Sequence, residues 1–134
     1  MEELLLEYKV EPTDMYYQNR FIRFYVDHTN NGEMYFFKCN RKKYFITHEE
    51  YSDLERSISG LKLVILLPDD ACGCDGAWES LRIEKGFNSI EFKWWCDSAG
   101  DQWKGIYEIR DKIMHLKEKY ADASDNADSN TKKY

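Results

Sequence analysis

The chain has 134 residues, a net charge of −6, and is 43% hydrophobic and 16% aromatic. That length suits one domain around one core, and so much ring area offsets the entropy lost on folding, which argues against disorder of the whole chain. The charge has the wrong sign for neutralising phosphates, so nucleic-acid binding is disfavoured, whereas an acidic surface keeps a chain soluble and attracts a basic partner.

The start, Met1-Glu2-Glu3, is acidic, and Leu4-Leu5-Leu6 runs directly into Glu7. No secretory leader is expected from that pattern, and a cytoplasmic location is. The longest apolar run, Leu63 to Leu67, is far short of the roughly 20 residues that span a bilayer, so no membrane association is expected. Cys39, Cys72, Cys74 and Cys96 are read as reduced thiols.

In chain order, Leu4 to Val10 reads as a strand that Pro12 breaks. Phe21 to Val26 and Met34 to Phe37 flank Asn30-Asn31-Gly32. Two β-prone runs about an Asn-Gly pair predict a hairpin with a type I′ turn, whose central residues need positive φ. The basic corner Asn40-Arg41-Lys42 turns the chain into a short strand, Lys43 to Ile46. Thr47 with Glu50 matches a capping box, Ile46 and Tyr51 a hydrophobic staple. Tyr51, Leu54 and Ile58 share a helical face, so a helix is predicted over His48 to Ser59, with Gly60 as a left-handed stop.

The run Leu61 to Leu67 is too short for a helix of its own and predicts a central strand buried on both faces. An acidic, glycine-containing loop follows from Pro68 through Gly76. Strands are then predicted at Trp78 to Glu84 and Ser89 to Cys96, joined as a second hairpin through Lys85-Gly86-Phe87-Asn88. Asp101 is the expected N-cap of a last helix with a stripe of Trp103, Ile106, Ile109 or Arg110, Ile113, Leu116 and Tyr120. The fold class expected is α+β: an antiparallel sheet of about six strands with two helices packed on it. One domain over 1–120 and a disordered polar tail over 121–134 are expected from the shift in composition at Ala121.

No catalytic motif stands out. The spacing Cys72-Gly73-Cys74 is poor for zinc, whose paired cysteines are usually further apart. Asp69, Asp70 and Asp75 lack the ligand alternation of a calcium loop. His28, His48 and His115 lie far from any nucleophile in a recognised setting. Neither a phosphate-binding nor a dinucleotide-binding glycine motif is found, so no cofactor is expected. A small metal-dependent hydrolase built on the acidic, cysteine-containing loop remains an alternative.

Trp94 and Trp95, adjacent on one strand, must point to opposite sheet faces. One serves the core and the other can serve recognition, as can Trp103. The preferred expectation is a protein-binding module rather than an enzyme. Asp69, Asp70, Asp75, Asp97 and Asp101 would steer a basic partner, with Trp95 and Trp103 as anchors. A regulatory subunit that pairs a sheet edge is a further alternative.

Asp75-Gly76, Leu81-Arg82-Ile83, Gly86-Phe87-Asn88-Ser89, Trp94-Trp95 and Trp103 ahead of an amphipathic helix together form a pattern over Asp75 to Leu116. It resembles a family of small uncharacterised bacterial proteins. Small acidic bacterial domains of this type are similar to immunity proteins, which bind and block a co-encoded toxin. By that class likeness the implied partner is a basic toxin or enzyme.

Overall fold

The computed structural model describes residues 1–12, 18–62, 76–95 and 103–124. Six strands form one antiparallel sheet in the order β4-β3-β2-β1-β5-β6. They are β1 (Glu2–Pro12), β2 (Arg20–Thr29), β3 (Gly32–Cys39), β4 (Lys42–Ile46), β5 (Ala77–Lys85) and β6 (Asn88–Trp95), joined by helices α1 (His48–Ser59) and α2 (Lys104–Lys117). This is the expected α+β arrangement of six strands and two helices. Of the expected strand at Leu61 to Leu67, Leu61 and Lys62 have no regular structure, and residues 63–67 lie outside the described ones.

Alternation decides which face each strand buries. Leu6 and Tyr8, Ile22 and Phe24, Phe37, Leu81 and Trp94 point toward the helices and meet Leu54, Ile106, Ile109, Ile113 and Leu116 in one core. The expected helix stripe is thus the core face of α2, and Ile109 rather than Arg110 belongs to it. Trp94 is only 1% exposed, so one of the adjacent indoles is core, as period-two geometry requires. Near Leu4 and Leu6 the β1–β2 register shifts by a bulge, which brings Leu5 against the core as well.

The first hairpin forms, with a different turn. Thr29 pairs with Gly32, and Gly32 takes the positive φ, 121°. Asn30 and Asn31, the two loop residues, stay outside that region. Among the described residues the non-glycine positions at positive φ are Asn40 (51°) and Arg41 (66°), so the type I′ geometry belongs to the basic corner between β3 and β4. Gly86, at φ 61°, opens the two-residue loop between β5 and β6, as a type II′ turn requires.

The α1 capping box is complete. The Glu50 backbone N–H donates to the Thr47 hydroxyl at 3.1 Å, and the Thr47 N–H donates to the Glu50 carboxylate at 2.9 Å. Ile46 and Tyr51 are both buried beside it. Gly60 is not a left-handed stop: its φ is −85°, and its N–H bonds back to the Arg56 and Ile58 carbonyls in a right-handed turn. α2 opens at Lys104 with Trp103 in the cap position; Asp101, the expected cap, lies outside the described residues. Gly105 lets α2 approach Leu61 closely: a Cβ there would sit 2.9 Å from Leu61 Cδ2, and the leucine side chain would have to shift. α2 runs on into a π-helical turn, Glu118–Asp122. Ala121, the first residue of the segment read as a tail, is buried in it; residues 125–134 lie outside the described ones.

Candidate functional site

Both helices cover one face of the sheet, and among the described residues no element covers the other. At the outer end of that uncovered face, β5 and β6 place Trp78 opposite Trp95. The two indoles meet edge to face, with centroids 5.1 Å apart and planes at 74°. Trp78 is 41% exposed, and the Lys93 ammonium lies 5.3 Å from its ring centre. Lys93 is itself 3.9 Å from Glu11, whose other oxygen pairs with Lys9. The Lys9 ammonium holds the Glu11 carboxyl below its usual range. A ring pair bordered by both signs of charge offers contact area and polar partners.

Trp103, the other expected anchor, stands on the helix side. It packs edge-on against Phe92 (5.9 Å) and Trp94 (6.2 Å), so β6 separates it from Trp95. Asp69, Asp70, Asp75, Asp97 and Asp101 lie outside the described residues, as do Cys72, Cys74 and Cys96. Trp78 is the ring that motif reading passed over. The signal for it was present: Trp78 shares parity with Ser80, Arg82 and Glu84, opposite Leu81 and Ile83, which assigns it to the polar face.

Inward of the ring pair, a row of charged residues crosses the whole sheet in register: Lys43, Lys38, Arg23, Glu7, Arg82 and Glu91. Arg23 Nε donates to Glu7 at 2.7 Å, and Glu2 bridges Lys38 (3.0 Å) and Lys43 (2.8 Å). These two ammoniums, Lys43 first, hold the Glu2 carboxyl below its usual range. Beneath the cations lie rings, with Tyr25 stacked on Phe36 at 5.3 Å and Lys43 4.1 Å above the Phe36 centre. Phe36 is 0% exposed, and among the described residues neighbouring rings and lysine stems lie over it.

Behind the ring pair, Glu79 faces the helices and ties three elements together. It accepts from the Tyr8 hydroxyl, from the Trp94 indole N–H at 3.1 Å and from Arg110 at 3.4 Å. Arg110 in turn lies 4.6 Å above the Tyr107 ring. A carboxylate with this many donors is satisfied in place, and it fixes α2 over β1, β5 and β6. A second acidic centre joins the helices: Glu50 accepts from the Tyr120 hydroxyl and from Lys119 at 2.9 Å. Burial raises its pKa, but the bonds from the Thr47 backbone, Tyr120 and Lys119 outweigh that and bring it down to about 2.

Among the described residues no group of three or more His, Cys, Asp or Glu is placed to hold a metal ion. His28 lies between Glu3 and Glu33, His48 edges against Tyr35, and Cys39 is a buried thiol. No helix among the described residues is long and apolar enough to cross a membrane. No protein-family model matches the sequence, and no curated protein does; the function is therefore argued from the site.

Proposed function

We propose that this chain is a protein-binding module and, more specifically, an inhibitor of the immunity type that occludes a basic toxin or enzyme. The observation that carries the reading is the contact of exposed Trp78 with half-buried Trp95, at the outer end of a sheet face that no described element covers. Indoles are the strongest anchors at protein interfaces, because they bury a large area with little entropy to lose. The net charge of −6 favours encounter with a basic surface through complementary fields. Asp75 and Asp97 lie in sequence beside the strands that carry the two rings. The resemblance of Asp75 to Leu116 to small bacterial proteins, and through them to immunity proteins, points the same way. Binding alone does the work: the ring pair seats on the partner and the acidic residues steer it.

The test is capture of partners from native cells with the wild-type chain and with a Trp78→Ala/Trp95→Ala variant, followed by assay of the captured partner. The expected partner is basic, loses activity when the wild-type chain is added, and binds the double variant at least about tenfold more weakly. A partner that binds the variant equally well, or stays fully active in the complex, would sink the reading.

A further inference from the structure

A second feature lies at the same end of the strands as the indoles, across β1 from them, where the uncovered face turns round the ends of β2 and β3. Gln18 and Asn19, the start of β2, the end of β3 and the β3–β4 turn enclose a groove of about 670 Å³, a size that suits a small ligand. Four of its walls are cationic, Arg20, Arg23, Lys38 and Arg41, and no carboxylate is among the described residues that line it. In a chain of net charge −6 this is a local reversal of sign.

Its construction works against stability in two ways. Arg23 faces Lys38, and Lys38 faces Lys43, directly across the strands, and like charges so placed repel. Glu7 and Glu2 offset this from outside the groove, one bonded to Arg23 Nε and the other to Lys38. In addition, Asn40 and Arg41 sit at φ 51° and 66°. A long side chain enters that region against its steric preference, and glycine would make the second turn position more easily. Strain of this kind, held by a guanidinium on the wall of a cavity, points to use. Arg20 and Arg41 make no ion pair among the described residues.

We infer that this groove binds the phosphoryl group of a small phosphorylated molecule. Two unengaged guanidiniums present planar forks that match a tetrahedral dianion and can bind it through paired hydrogen bonds. The rings support this chemistry rather than base stacking. Phe21 carries Arg23 at 4.3 Å and Tyr25 carries Lys38 at 4.8 Å, so the ring faces already brace cations. The inference is independent of the indole pair and needs no macromolecular partner.

Titration of the full chain at low ionic strength, followed by calorimetry and by backbone amide shifts, tests it with three probes: glycerol phosphate, inorganic phosphate and a single-stranded oligonucleotide. Glycerol phosphate is expected to bind once per chain and to shift the amides of Arg20, Lys38 and Arg41. Arg41→Gly is the decisive variant, because it relieves the turn: its melting temperature should hold or rise while binding weakens about tenfold or more. Arg20→Gln should weaken binding similarly, and Lys93→Gln, beside the indoles, should leave it unchanged. Both outcomes with the small probes support the site: tighter binding of glycerol phosphate identifies an ester as the source, and equal binding identifies free phosphate. Binding of the oligonucleotide alone, no titration by either small probe, or Arg41→Gly binding as wild type would overturn the inference.

Discussion

On the helix side of the sheet, Phe24 and Leu81 are sealed beneath α1 and α2, whereas on the other side Phe36 is equally sealed with no described element above it. The difference lies in what does the covering. Phe24 meets close-packed aliphatic and aromatic atoms that cannot move without disturbing a helix. Phe36 is covered by Tyr25, Phe45 and the stems of Lys38 and Lys43, whose charged ends stay in water. The kind of cover decides how the site responds when the ring is lost.

Replacing each ring in turn would break or sharpen that contrast. Phe24→Ala should cost about 3–5 kcal/mol, since the helices hold the cavity open. Phe36→Ala should cost roughly half as much, because lysine stems can collapse and water can enter. Chemical denaturation reads both, and equal losses would show the uncovered face to be as rigid as the core. Next in size, Glu79→Gln removes the charge that Tyr8, Trp94 and Arg110 share and should cost about 2–3 kcal/mol. A moved Trp94 indole proton resonance would accompany it. Glu7→Gln on the other face should cost only about 1 kcal/mol, because Arg23 and Arg82 remain partly solvated.

The last effect is one of pH. Hydrogen bonds bring the carboxyl of Glu50 down to about 2 in the folded chain, from an ordinary value of 4.5. A depressed folded pKa contributes stability that is complete above the unfolded value and is lost as pH falls toward the folded one. Acid titration of the wild type should show this loss between those two values, and Glu50→Gln should remove that part of it. The variant should also lose roughly 2–3 kcal/mol at neutral pH, because the charge that Tyr120 and Lys119 bond to is gone, while the glutamine carbonyl can still accept from the Thr47 N–H.

Much of the fold was legible because it is local. The capping box, the hairpins and the stripe Ile106, Ile109, Ile113, Leu116 are patterns over a few residues, and period two placed Trp94 and Trp95 on opposite faces. Strand order was not legible, since β1 lies between β2 and β5 through pairings that no short window contains. The turn at Asn30-Asn31-Gly32 misled because the composition of a loop does not fix its register: Gly32 became a strand residue, and the left-handed pair fell to Asn40 and Arg41. For the candidate site, parity alone put Trp78 and Trp95 on the polar face. The separation of Trp103 from Trp95 followed from where α2 docks, which is tertiary. The groove of Arg20, Arg23, Lys38 and Arg41 escaped notice because total charge conceals a local excess of the opposite sign.

The middle position of β1 also constrains how the chain can be made. On a ribosome, β1 to β4 emerge first and can zip up as a meander, yet the outer edge of β1 finds its complement only when Ile83 arrives to pair with Leu6. Until then a row of backbone donors and acceptors beside Leu6 and Tyr8 stands open to any passing strand. Truncation before β5 should accordingly yield a sticky, aggregation-prone fragment, and the rate of folding of the whole chain should be governed by this late, long-range closure.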